Sequence, residues 1–174
     1  VVASAITTAY FRPYWTEDVV GTEVGGAVKN VIALANGMAF GLGYGENAQA
    51  SLITRGLAEM SRLGAALGAN PMTFLGLAGI GDLIATCTSS LSRNRTFGEN
   101  LGRGLTVDET IEQTKQTCEG VKSCQAILEL GKANGVEMPI TEQVVQVVDH
   151  AMSPRAMLGN LMSRDPRAEQ GSSA

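Results

Sequence analysis

Histidine is almost missing from this 174-residue chain: His150 stands alone, and the three cysteines, Cys87, Cys118 and Cys124, show no C-x-x-C spacing. Metal sites draw on such residues at short fixed intervals, so metal catalysis is not expected. An odd cysteine count with no visible secretory segment argues against a disulfide framework. It fits buried thiols in a reducing cytoplasm, where cysteine serves as a small core residue. No apolar run approaches the roughly 20 residues that cross a bilayer, and no lipid-anchor or signal pattern is visible, so membrane insertion is not expected. Basic residues are also in deficit: 13 Lys and Arg against 17 Asp and Glu leave a net charge of −4. A nucleic-acid surface needs the opposite balance, which leaves only local basic spots such as Arg93 with Arg95. Strand patterns are lacking after about residue 20, and there is no internal repeat.

What is present is helical. With 44% hydrophobic residues and 17% charged ones, the chain suits one domain with a substantial core. Residues 19–38 are apolar on most faces, the pattern of a helix buried inside its domain. Gly25 and Gly26 within it cost about 1 kcal/mol each in propensity, and are expected to permit close backbone packing. "GLGYGEN" is a glycine turn into a second helix over 47–67. That helix sets Ile53, Leu57, Met60, Gly64 and Leu67 on one face and Ser51, Arg55, Glu59 and Arg62 on a polar one. Pro71 suits the first turn of a short helix, and "LAGIG" is expected to break it before Asp82. Further helices are expected over about 92–101, after a T-x-x-E capping box at Thr106 and Glu109, over 119–134 with Gly135 as a stop, after Pro139, and after Ser153 with Pro154. The opening "VVASAITTAYFRPYW" is β-prone and does not begin with methionine. Residues 1–18 are therefore read as residual strand and linker of a longer protein, residues 19–163 as the domain, and 164–174 as a disordered tail.

Two stretches carry candidate chemistry. In "VGGAVKNVIALA", Lys29 lies beside Asn30 among apolar and glycine positions. Desolvation there would disfavour its charged form and let it exchange a proton with a carbonyl or an alcohol oxygen. A snorkelling lysine with its stem packed on the helix accounts for the same residues. In "GDLIATCTSSLSRNR", Ser89, Ser90 and Ser92 are candidate N-caps of a helix whose exposed N–H groups would hold an anion. Arg93 could grip phosphate oxygens, Asn94 a hydroxyl, and Asp82 could orient a lysine or a substrate hydroxyl. Helix capping explains the serines equally well. An arginine at the helix start opposes the dipole, which favours an anionic ligand. "GLGYG" lacks the spacing of a dinucleotide loop and follows no strand, and Glu119 also reads as an acid favoured at a helix start.

Taken in order, "GGAVKNVIALANGMAFGLGYGENAQASLITRGLAEM", "AGIGDLIATCTSSLSRNRTFG" and "EGV" resemble the C-terminal domain of bacterial NAD(P)-dependent glycerol-3-phosphate dehydrogenase, over about residues 19–162. The resemblance implies an all-α, multi-helix substrate domain like the 6-phosphogluconate dehydrogenase C-terminal domain, with the Rossmann half absent from this chain. It also implies interconversion of dihydroxyacetone phosphate and sn-glycerol 3-phosphate with NAD or NADP, feeding glycerophospholipid synthesis in the cytoplasm. By the family's pattern, Lys29 exchanges the proton at the C2 oxygen, and Asp82 acts at the substrate near that lysine. Thr86, Ser92, Arg93 and Asn94 face substrate, while Arg93, Thr117 and Glu119 meet the cofactor. Thr117 departs from the pattern, standing where an apolar residue is common. The implied partners are the protein's own Rossmann domain and a second copy in a homodimer, and this chain alone is expected to be inactive. Two other readings stay open from the residues themselves: the helical domain of a dehydrogenase acting on a hydroxy acid or sugar acid, and a non-catalytic packing module.

Overall fold

One helix has almost no face left for water, and the rest of the molecule is arranged around it. The computed structural model describes residues 2–115, 118–150 and 152–163; the tail expected at 164–174 lies outside them. Helix α1 is Val2–Ile6 and the central α2 is Val19–Gly41. After α2 come α3 (Glu46–Ala66), a 3-10 segment (Pro71–Leu75), a π-helical turn (Leu77–Gly81) and α4 (Asp82–Thr88). Then follow α5 (Arg93–Gly102), α6 (Val107–Thr114), α7 (Glu119–Ala133), α8 (Pro139–His150) and α9 (Pro154–Met162). No strand occurs among the described residues, so the fold is all-α.

Every residue of α2 from 30 to 39 is buried, which is why its sequence shows so little amphipathicity. Helices α3, α4, α5, α7 and α8 all pack on it. The closest approach is to α5, where glycines meet carbonyls: a Cβ on Gly98 would stand 2.1 Å from the Leu34 oxygen, and one on Gly37 would stand 2.1 Å from the Arg95 oxygen. With no side chains between them, the two backbones touch, and the start of α5 is set firmly against α2. Phe74, Phe97, Met60, Leu63 and Leu83 fill the surrounding core. All three cysteines are buried and unpaired. Burial pushes the Cys87 thiol up to about 12 and the Cys124 thiol up to about 11, so both stay protonated.

Most expected helix starts occur where the capping residues placed them. Ser92 accepts from the Arg95 N–H, Ser153 accepts from the Ala156 N–H, and Thr106 with Glu109 forms the full capping box. Gly135, at φ 67°, follows α7 in the left-handed conformation that glycine adopts freely.

Four expectations need correction. Residues 2–6 are helical where a strand was expected: the described chain offers no strand edge to pair with, and local helical bonds satisfy the backbone instead. The short helix begun at Pro71 does end before Asp82, but at the extended Gly76, and "LAGIG" is itself a π-helical turn that runs straight into α4 and delivers Asp82 at the first position. Gly25 does permit close packing, its Cβ position lying 2.6 Å from the Ala78 oxygen, but Gly26 has nothing within 4 Å. Glu59, assigned to the polar face of α3, is only 1% exposed. Its carboxylate accepts from the Ile140 N–H at 2.5 Å, the Thr141 N–H at 3.3 Å and the Thr141 hydroxyl at 3.1 Å, capping α8 from another helix. Helical periodicity cannot distinguish a distant helix's amides from water.

Candidate functional site

Lys29 and Asn30 are neighbours on α2, about 100° apart around its axis, and they serve two adjoining clusters. Lys29 Nζ meets Asp82 Oδ2 at 2.5 Å, with the two side chains 21% and 41% exposed. Lysine therefore neither lies sealed in the core nor extends free into solvent. It emerges at the edge of the bundle, where α4 brings a carboxylate to it. The Thr86 hydroxyl donates to the Asp82 carbonyl at 2.7 Å and lies 3.4 Å from Asp82 Oδ1, which backs the carboxylate from the next turn of α4. The ion pair uses one of the three donors on Nζ, and the others remain for a further oxygen.

The second cluster joins the N-termini of α5 and α7. Asn94 Oδ1 accepts from the Gly120 N–H at 3.0 Å, and the Cys118 thiol donates to the Arg93 carbonyl at 3.3 Å, so the two helix starts are stitched together. Asn30 sits behind them. Its Oδ1 accepts from Asn94 Nδ2 at 2.9 Å, while its Nδ2 donates to Glu119 Oε2 at 3.2 Å and to the Gly26 carbonyl at 3.1 Å. In front, Arg93 and Glu119 project outward, 63% and 68% exposed, with 3.6 Å between their charged groups. A pair so open to water contributes about 0–1 kcal/mol, which leaves Arg93 able to take another partner while Glu119 is also held by Asn30. The loosely held Arg93 guanidinium at the start of α5 suits this rim to an anion, opposed by the Glu119 carboxylate at the start of α7.

The two arginines of "SRNR" part company. Arg95 is buried, lies 4.3 Å from the Phe40 ring centroid and pairs with Glu99 at 3.1 Å, so it holds α5 to α2 and faces no ligand. Only Arg93 is presented.

The match to known families agrees with this geometry. Residues 18–159 fit the family described as NAD-dependent glycerol-3-phosphate dehydrogenase C-terminus. The chain belongs to that family. It is 61% identical over 167 residues to glycerol-3-phosphate dehydrogenase (NAD(P)+) of Streptomyces griseus, covering 96% of this chain and 50% of that protein. The corresponding protein of Thermobifida fusca is 63% identical over 161 residues, covering 92% and 48%. Among solved structures, glycerol-3-phosphate dehydrogenase of Coxiella burnetii superposes with a TM-score of 0.89 at 39% identity, over 94% of this chain and 50% of that one. The chain thus spans about half the length of the curated relatives it matches.

Within the family frame, the residues marked from sequence fall into both clusters. Lys29, Asp82 and Thr86 form the first, and Ser92, Arg93, Asn94 and Glu119 border the second; Thr117 lies outside the described residues. Ser92 is the N-cap of α5. Asn94, expected to reach toward a hydroxyl, is 7% exposed with both polar atoms bonded inside the protein. Asn30 was marked only as a neighbour of Lys29. The signal that could have singled it out is an amide in an apolar helix, because such a group must find partners when buried.

Proposed function

We propose that this chain is the substrate half of an enzyme interconverting dihydroxyacetone phosphate and sn-glycerol 3-phosphate with NAD(P)H, serving glycerophospholipid synthesis in the cytoplasm. The observation that carries the reading is the Lys29–Asp82 pair at 2.5 Å, one residue along α2 from Asn30, which bonds to Asn94 and Glu119 at the Arg93 rim. Arg93 and the start of α5 would hold the phosphate, since guanidinium and N–H donors both suit its oxygens. The ketone would then lie toward Lys29. When bound, the nicotinamide supplies the hydride that reaches C2. Lys29 donates a proton to the oxygen at C2 as negative charge develops there, and in the reverse direction removes it. Asp82 aims Nζ and accepts one of its hydrogens, with Thr86 beside it on the next turn of α4.

Arg93 and Glu119 fit a contact with one edge of a nicotinamide nucleotide, being exposed and only loosely paired. A glycine-rich turn between a strand and a helix, the usual cradle for the pyrophosphate, is absent among the described residues. In this reading a Rossmann half carries it. Support comes from the exposed apolar side chains of Val19, Val20, Met72, Leu75, Leu77 and Ile84, around the start of α2 and the segment leading to Asp82. Among the described residues no helix is long and apolar enough to cross a membrane. The buried, unpaired thiols support a reducing compartment. The reading extends to a homodimer, which sedimentation of the full-length protein would read.

The test is turnover of the full-length protein with NADH and NADPH, against dihydroxyacetone phosphate and a panel of 2-oxo acids. Selective reduction of the triose phosphate is expected, with kcat falling at least about 100-fold in Lys29→Ala and the circular dichroism spectrum unchanged. Activity confined to carboxylate substrates would assign the Arg93 rim to a different anion.

A further inference from the structure

We infer that Asp18 is a positioning residue that locks the direction of the incoming chain to the segment delivering Asp82. Every polar atom of this residue is engaged. Its N–H donates to the Thr16 hydroxyl at 3.1 Å, and its carbonyl accepts from the Thr22 N–H at 3.2 Å and the Thr22 hydroxyl at 2.9 Å. Carboxylate Oδ1 accepts from the Gly21 N–H at 2.9 Å, capping α2. Oδ2 reaches outside the helix, accepting from the Asn70 N–H at 3.0 Å and the Thr73 hydroxyl at 2.5 Å. Those two donors sit at the start of the 3-10 segment. From there the chain runs through the π-helical turn, packed on Gly25, directly to Asp82.

Local capping needs far less than this. A serine in the same place would satisfy Gly21, but it is too short to bridge to Asn70 and Thr73. The site is also shaped for a carboxylate: a Cβ on Gly21 would lie 2.2 Å from Asp18 Oδ2, so residue 21 must be bare for the bridge to form. The hydrogen bonds from Thr73 and Gly21 hold the carboxyl below its ordinary range, so it stays ionised at neutral pH.

Upstream, the chain is exposed, with Tyr10 94% and Trp15 76% accessible, and Asp18 is where it becomes fixed to the bundle. Lys29 lies eleven residues further along α2, about 16 Å away. A rotation of about 10° at this anchor would displace a group that far away by about 3 Å. Hydride transfer between two halves of a protein tolerates much less, since an error of about 1 Å can cost about 100-fold in rate. The carboxylate bridge therefore keeps a half attached through residues 1–17 in register with Lys29 and Asp82 together.

This inference rests on the two-half reading above, and its test separates the two. In the full-length protein, Asp18→Ser keeps the cap of α2 and loses the bridge, while Thr73→Val removes one arm of the bridge with little change of shape. One spin label goes on the nucleotide half and another on Ala66→Cys, at an exposed site where the buried native thiols do not compete. Both substitutions are expected to broaden the distance distribution between the labels. They should also lower kcat about tenfold or more while KM for dihydroxyacetone phosphate stays within about threefold. An unchanged distance distribution, or an unchanged kcat, in folded variants would overturn the assignment and leave Asp18 as a helix cap. Failure of the wild-type protein to reduce the triose phosphate would instead count against the proposed function, and the label distances would still report on the bridge.

Discussion

Lys29 and Asn30, adjacent on a buried helix, are divided between the two clusters of the proposed site. Lysine turns to α4 and its carboxylate; asparagine turns to the starts of α5 and α7 and ties Asn94 to Glu119. Removing each should therefore fail differently in the full-length protein. Asp82→Asn preserves shape but leaves Lys29 without its anionic partner, and kcat is expected to fall about 100-fold or more with little change in nucleotide KM. Asn30→Ala leaves the buried Asn94 amide unpaired on one side, at a cost of about 1–3 kcal/mol, and releases Glu119. Nucleotide KM is expected to rise several-fold in steady-state kinetics while Lys29 still turns over. Equal kcat losses in both variants would mean that the two clusters act as one. Lys29, Asp82 and Arg93 stand out in the sequence because each is a polar residue in a locally improbable place, and the structure brings the first two into contact. Asn94 was legible only as a polar residue: its partners come from α2 and α7, 64 and 26 positions away in the chain, and no local pattern encodes them.

The helices themselves were legible from caps, prolines and apolar spacing, because those signals act within one turn. Their mutual contacts were not, and α2 against α5 is the clearest case. Gly98 and Gly26 look alike in sequence, yet a Cβ on Gly98 would press 2.1 Å from a carbonyl oxygen while one on Gly26 meets nothing within 4 Å. Gly98→Ala should thus destabilise the domain by about 3 kcal/mol or more through overpacking. Gly26→Ala should stabilise it by up to about 1 kcal/mol through helix propensity. Chemical denaturation of the two variants side by side checks both signs. Glu59 adds a pH signature to the contact between α3 and α8. Desolvation outweighs its three hydrogen bonds and raises the carboxyl from 4.5 to about 7. The folded state therefore binds this proton more tightly than the unfolded one. The stabilisation is fully present below pH 4.5 and is lost as pH rises through about 7. Relative to Glu59→Gln, the wild type should lose up to about 3 kcal/mol between those pH values, read from denaturation curves at each pH. A difference that does not vary with pH would mean that the hydrogen bonds to Glu59 balance its desolvation in the folded state.

As a whole molecule, the chain holds a complete helical core but an open site. Asp82 is 41% exposed, Arg93 and Glu119 more so, and apolar side chains surround the start of α2. The proposed reduction needs a hydride donor fixed against C2, and no described residue supplies a cradle for one. What the chain does offer is an anion rim of one guanidinium and the start of α5, and charge-assisted hydrogen bonds of that kind contribute about 1.5–3 kcal/mol each. Partly screened by water, they support binding near the millimolar range, which corresponds to about 4 kcal/mol. The isolated 174-residue chain is therefore expected to bind dihydroxyacetone phosphate weakly and to oxidise no NADH in its presence. NMR titration should show shifts confined to the amides around Arg93 and Glu119 and saturating at millimolar ligand. Inorganic phosphate should reproduce them and Arg93→Ala should abolish them. Steady NADH oxidation by the isolated chain would show that it binds the nucleotide productively by itself, and the division into a substrate half and a nucleotide half would fall.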